Sequence, residues 1–265
     1  MPVRLAQLLF SQGFGTRRDC AALIASGEVA IAGQVVDDPD AEFDTDGLVF
    51  SVQGRAWPFH AQALVLLHKP AGYECSQKPR HHPGVLSLLP APLRARGLQP
   101  VGRLDEDTTG LLLFTDDGTL IHRLTSPRHH VPKVYEVGTK HPVTPEQVAK
   151  LLAGVVLKDE RADERQTAYS GSKRPRPPRP AARPVVAAEP GPPVRAAACE
   201  QTGERALRLT LTEGKYHQVK RMLAAAGNRV ERLHRSSFGA LALPADLPPG
   251  QWCWLDAAQR AAAGG

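Results

Sequence analysis

Residues 101–118 read VGRLDEDTTGLLLFTDDG. Four apolar residues, Leu111–Phe114, stand between Thr108-Thr109-Gly110 and Asp116-Asp117-Gly118. An apolar run bounded by turn residues predicts a buried strand, here with a tight Asp-Gly turn after it. Asp105 then falls in the loop before that strand, where a rigid element can present a reactive side chain. Three readings of Asp105 compete. A turn aspartate bonds its own backbone. A calcium loop would use Asp105, Asp107, Thr109 and Gly110, but its twelfth position is Asp116 rather than Glu, and the run between predicts a strand instead of a helix. The third reading is a catalytic carboxylate, with Arg103 two residues before it.

Working outward, 265 residues with 42% hydrophobic and 23% charged content suffice for one sizeable core and a smaller domain. No apolar run has membrane-spanning length, and the chain is too polar after Phe10 for a signal peptide. A cytoplasmic protein with no membrane partner is expected. Cys20, Cys75, Cys199 and Cys253 form no C-x-x-C pair, which argues against a Cys-type zinc site and for reduced, packed thiols. The deaminase pattern H-x-E…P-C-x-x-C is absent. His81-His82 and His129-His130 lack the i,i+4 spacing of a helical metal site, so no metal is expected. The formal net charge of +6 favours an anionic partner such as RNA.

The N-terminal stretch predicts a small module. Leu5, Leu8 and Leu9 have helical spacing, and Gly13–Gly15 end that helix. Thr16 suits the N-cap of a second helix that Ser26-Gly27 terminates. Val29, Ile31, Val35 and Val36 predict short strands about Ala32-Gly33. Arg4, Arg17 and Arg18 can share one basic face, which is either an ordinary solvated surface or an RNA contact. Phe50–Ala63 reads as a strand end and linker. Leu64–Leu67 opens a new domain as a buried strand, followed by a Pro-x-Gly turn at Pro70-Ala71-Gly72. Lys69 there reads as a phosphate contact or an exposed structural lysine. Ser126–His130 (SPRHH) is a basic loop in which Arg128 can meet RNA. Val131–Val137 alternates as a strand carrying Lys133 and Tyr135. Pro145–Leu152 predicts a helix capped by Thr144. Thr167–Pro193, rich in Pro and Arg, can neither bury a core nor hold a helix, and reads as a mobile insertion. Ala206–Thr212 predicts a strand, and Val219, Met222 and Leu223 a helix ending at Gly227.

Taken together, GRLDEDTTGLLLFTDDG, SPRHH, KVYEV and EGKYHQVKRM resemble the signatures of the RNA pseudouridine synthase family that includes the small-subunit (16S) rRNA enzyme. Thr16-Arg17-Arg18 and the G-x-V-x-I-x-G run from Gly27 to Gly33 resemble the S4 RNA-binding domain. The resemblance implies an α+β fold: a mixed, largely antiparallel sheet with flanking helices and a central cleft, plus a small S4-like α+β domain. It implies an S4-like domain and linker over 1–60 and a catalytic domain over 61–265, interrupted at about 167–193. It makes Asp105 the nucleophile, Tyr135 the residue that stacks on the target base and handles protons, and Lys220 the cation that pairs with Asp105, with Arg221 as second choice. Arg103 resembles the residue that fills the space left by the extruded base. RNA contacts are expected from Lys69, Arg4, Arg17, Arg18, Arg128 and Arg221. No cofactor is implied. The implied partner is 16S rRNA, within an assembling small-subunit particle, met by a monomer. Two other functions compete: a non-catalytic rRNA-binding assembly factor, and a relative that modifies 23S rRNA.

Overall fold

The structure, a computed structural model, describes residues 2–157 and 191–264. The expected insertion over Thr167–Pro193 therefore lies outside the described residues, save its last three. The chain forms two compact units, residues 1–131 with 234–265, and residues 132–233.

The first unit opens with β1 (Val3–Arg4), α1 (Leu5–Ser11), α2 (Arg17–Ala25), β2 (Val29–Ile31), β3 (Gln34–Val35), β4 (Glu42–Phe43), β5 (Val49–Val52) and β6 (Arg55–Pro58). Thr16 starts α2 through a capping box: its hydroxyl accepts the Asp19 N–H, and the Asp19 carboxylate accepts the Thr16 N–H. Such a pair satisfies two helix-end donors that would otherwise lack partners. Gly27, at φ +70, ends the helix. Ala32 and Gly33, at φ 50 and 79, turn β2 into antiparallel β3, the left-handed pair that a two-residue hairpin requires. Leu5, Leu8, Leu9, Cys20 and Ile24 are fully buried. The stretch Phe50–Ala63 is less of a linker than expected, because β5 and β6 form a hairpin pairing Phe50 with Trp57. Phe14 meets both rings edge-on, and this aromatic packing gives the segment a buried face that its Gly and Pro content concealed.

Next come β7 (Leu64–Lys69), α3 (Ala91–Ala95), β8 (Gln99–Pro100), β9 (Thr109–Thr115) and α4 (Gly118–Thr125). The second unit holds β10 (Lys133–Thr139), α5 (Pro145–Ala153), β11 (Ala198–Gly203), β12 (Ala206–Leu211) and α6 (Gln218–Ala225). Then β13 (Val230–Phe238) begins in the second unit and ends in the first, where β14 (Leu241–Ala242), β15 (Trp252–Trp254) and α7 (Ala257–Gly264) follow.

In the first unit β9 pairs antiparallel with β7 and parallel with β13, so the sheet is mixed. Leu64–Leu67 and Leu111–Phe114 are all buried. Strands covered on both faces read as continuous apolar runs, which is why both were visible in the sequence. Leu64, Leu66, Leu111 and Leu113 pack on Leu124, Phe238, Leu255 and Ala263. The expected Asp-Gly turn is instead a helix start: the Asp117 carboxylate accepts the N–H groups of Thr119 and Leu120 at the head of α4.

In the second unit β11, β12 and β10 run antiparallel. Leu207, Leu209 and Leu211 alternate inward onto Leu151, Val219, Met222 and Leu223. Thr144 and Gln147 cap α5 reciprocally, with Pro145 at its first position. Val155 and Val194 exchange two backbone hydrogen bonds of 2.8 and 2.9 Å. The chain ends on either side of residues 158–190 are thus held side by side.

Candidate active site

Asp105 is half-buried in the loop that feeds β9, and the loop is secured from both sides. Ahead of it, the buried Val101 donates its N–H to Leu113 O, and the Leu104 N–H points at Cys75 Sγ, 3.5 Å away. Behind it, Thr108 N–H returns to Asp105 O at 3.1 Å. Gly72 N–H donates to Glu106 O at 2.8 Å, tying in the Pro-x-Gly turn. β9 then begins under β13 at Gly110. A Cβ there would stand 2.3 Å from Arg235 O, and φ is +110, so only glycine permits this approach.

Lys69 corrects one expectation. It is completely buried, and its ammonium donates to Pro70 O, Glu106 O and Thr108 O at 3.0, 3.0 and 2.8 Å. A lysine has three donors, so none is left for a phosphate. Burial pushes its pKa below the ordinary lysine value, while Cys75, Glu106, Asp107 and Asp105 oppose the shift. Its work is to pin the carbonyls on the far side of Asp105. The tertiary burial of β7 decides this, and no local signal carried it.

Arg103 is exposed two residues before Asp105. Arg128 is exposed on a short 3-10 turn capped by the Ser126 hydroxyl. Arg4 is ion-paired with Asp40 at 3.3 Å, both well exposed, a pairing of little worth in water. Arg17 lies over the Phe10 ring at 5.4 Å, and Arg18 is exposed beside it.

Tyr135, Lys220 and Arg221 belong to the second unit. Tyr135 is half-buried in β10, paired with Leu209 and packed against that unit's core. Lys220 lies in the first turn of α6, half-buried. That turn is built tightly. His217 takes the left-handed conformation at φ 47, its ring stacked on Tyr216 at 3.7 Å. Gln218 is buried, accepting the Lys215 N–H at 2.7 Å and donating to Glu213 at 2.9 Å. Arg221 bends back to donate to Tyr216 O at 3.2 Å.

Two groups escaped the sequence reading. Arg235 is buried. It donates through Nε to Leu111 O at 2.8 Å and lies 5.2 Å from the Phe238 ring centroid. At the other end of β9, Arg96 is held by Asp116, Gln12, His60 and Ala61. Nothing near Arg96 in sequence announces partners 84, 36 and 20 positions away.

Among the described residues, no group of three or more His, Cys, Asp or Glu could hold a metal ion. No helix among them is long and apolar enough to cross a membrane.

A half-buried carboxylate at the head of a central strand, in a mixed sheet, with an S4-like helical module ahead of it, defines a class. The family model described as RNA pseudouridylate synthase matches residues 63–225, and the S4 domain model matches residues 3–46. The chain belongs to the RNA pseudouridylate synthase family and is an RNA pseudouridine synthase carrying an S4 domain. It is 35% identical over 253 residues to the ribosomal small subunit pseudouridine synthase A of Vibrio parahaemolyticus, covering 96% of each chain. To the protein of that name in Escherichia coli it is 35% identical over 256 residues, covering 94% of this chain and 95% of the other. An uncharacterized RNA pseudouridine synthase of Bacillus subtilis is 34% identical, covering 94% and 93%. A crystal structure of a pseudouridylate synthase superposes with TM-score 0.61 at 30% identity, covering 98% of this chain and 99% of that one. The fold is that of a pseudouridine synthase.

Proposed function

We propose that the chain isomerises one uridine of small-subunit rRNA, met in an assembling particle in the cytoplasm, and that it acts as a monomer. The S4-like domain over 1–60 supplies affinity, and residues from 61 onward supply chemistry. The observation that carries the reading is the Asp105 loop, a half-buried carboxylate whose flanking carbonyls are pinned by a buried lysine. The names of the Vibrio and Escherichia relatives support the small subunit as the target.

The reaction breaks the C1′–N1 bond, turns the base, and joins C5 to C1′, with the C5 proton lost. An ionised carboxylate serves the sugar end of this chemistry, as nucleophile at C1′ or as the group that primes a glycal route. Lys220 supplies the positive charge that the family likeness assigns to it. Tyr135 stacks on the base and handles its proton. The target leaves its stack first, and Arg103 fills the gap. Phosphates meet Arg4, Arg17, Arg18, Arg128 and Arg221, which position the RNA without reading bases.

The test uses purified protein with small- and large-subunit rRNA, as transcripts and as immature particles, labelled with tritium at uridine C5. Tritium release from the small-subunit RNA alone, mapped to one position, is the expected result. Release from large-subunit RNA alone moves the target to the other subunit. Tight binding with no release from either RNA makes the protein an assembly factor and overturns the reading.

A further inference from the structure

The segment Gln77-Lys78-Pro79-Arg80-His81-His82-Pro83 lies outside the chemistry assigned so far. It is exposed throughout, yet it is not loosely built. The Glu74 carboxylate gathers three successive backbone donors, from Arg80 at 3.1 Å, His81 at 2.9 Å and His82 at 3.0 Å. The backbone of Glu74 closes the far side, its N–H donating to Pro83 O at 3.0 Å and its carbonyl accepting from Val85 at 2.9 Å. The Lys78 N–H is taken by the Ser76 hydroxyl at 3.1 Å. Pro79 and Pro83 have no N–H to place and fix their φ. A Cβ on Gly84 would stand 3.2 Å from Pro79 Cγ, so the turn is closed tightly there.

Successive N–H groups curled round an anion normally make a site for a bound phosphate or carboxylate. Here the protein's own Glu74 fills that role, and those backbone bonds hold its pKa below the ordinary glutamate value. The donors point inward, so the turn displays its side chains outward. The cations Lys78 and Arg80 and the imidazoles of His81 and His82 fall within five residues. The turn also borders the Asp105 loop. His82 Nε2 stands 3.8 Å from the carboxylate of Glu106, the residue after Asp105, and Gly72 bonds Glu106 O just before the turn begins.

We infer that this Glu74-wound turn is a phosphate-binding surface for the substrate RNA, gripping the strand beside the target uridine through Lys78, Arg80, His81 and His82. It deepens the small-subunit reading by adding a second electrostatic footprint, next to the chemistry, to that of the S4 domain. Pre-folding the turn on Glu74 removes the ordering cost that a floppy basic loop would pay on binding.

The test uses the full chain with all four residues changed to Gln. A second variant, Lys78→Arg with Arg80→Lys, keeps the charge. Each is titrated with transcribed 16S rRNA and, separately, 23S rRNA across a salt series, and single-turnover release is measured at saturating enzyme. Each phosphate that the protein no longer neutralises lowers the slope of log K against log salt by roughly 0.7 to 0.9. The four-Gln variant is expected to neutralise about two fewer phosphates and to bind roughly tenfold or more weakly near physiological salt. Its affinity falls further than its saturated rate, and the charge-keeping variant recovers the slope. An unchanged slope with either RNA overturns the inference, as does a fall in the saturated rate at unchanged affinity. Because binding slopes are read on both RNAs, a wild-type protein that isomerises only 23S rRNA sinks the small-subunit reading and leaves this surface standing.

Discussion

Two aspartates bracket β9, and the fold builds different surroundings for them. Asp116, at the C-terminal end, has both carboxylate oxygens occupied: Oδ1 accepts the Ala63 N–H at 2.8 Å, and Oδ2 accepts Arg96 Nε and Nη2 at 2.9 and 2.6 Å. The Arg96 side chain is 4% exposed and continues to Gln12, itself fully buried, at 2.7 Å. Beside it, a Cβ on Gly13 would lie 2.1 Å from Pro92 O. That end of the strand locks the N-terminal module to α3 and the sheet. At the N-terminal end the bonds from Lys69, Gly72 and Thr108 secure the backbone around Asp105, which is half-buried as Asp116 is at its own end. A carboxylate spent on a buried arginine contributes rigidity. A carboxylate presented from a pinned loop can meet a substrate.

The comparison breaks most visibly at the rigid end. Arg96→Ala leaves the half-buried Asp116, 18% exposed, without its cation; removing one partner of a fully buried pair costs about 3–5 kcal/mol, and the loss here should fall somewhat below that. Urea unfolding should show that loss, with normal single-turnover isomerisation below the lowered melting point. At the other end, Lys69→Met keeps the volume and removes the three donations to the loop. Turnover should fall roughly 10–100-fold through misplacement of Asp105, with RNA affinity unchanged. A lysine that touched phosphate would show the reverse, weaker binding at normal turnover.

A smaller effect is set by pH. His60, packed on Trp254 at 4.4 Å, has its pKa lowered to about 4 by burial, then by Arg260 and Arg96. The unfolded chain therefore binds a proton that the folded chain refuses between pH 6.5 and about 4, and stability falls as pH drops through that window. His60→Gln should flatten this part of the melting-temperature profile. The smallest change is expected in the second unit. Replacing residues 160–188 with a short Gly-Ser linker should alter stability by less than about 1 kcal/mol, because Val155 and Val194 already hold the flanking chain ends together.

The same contrast explains what the sequence made legible. β7 and β9 were plain because both faces are covered, giving unbroken apolar runs. The caps at Thr16 and Thr144 were plain because their chemistry is local. The role of Lys69 was not, since a lysine before a Pro-x-Gly turn reads alike whether buried or exposed. Asp117-Gly118 reads as a tight turn in the sequence because an N-cap and a turn favour the same residues. The Gln12–Arg96–Asp116 lock joins three distant stretches, and no periodicity reports such a meeting. Asp105 was singled out by its place before a strand, and its assignment as nucleophile came from the family likeness rather than from any physical signature.

Cells carrying Asp105→Asn, Asp116→Asn or the unaltered protein are compared by mapping pseudouridine along the small-subunit rRNA, with the melting temperature of each purified protein taken alongside. Asp105→Asn should abolish one pseudouridine, a fall of more than about a thousandfold in turnover, with the melting point unchanged. Asp116→Asn should lower the melting point and keep the pseudouridine. Full modification in the Asp105→Asn cells would rule out a catalytic role for Asp105, and the carboxylate at the head of β9 would then be no more than a turn residue.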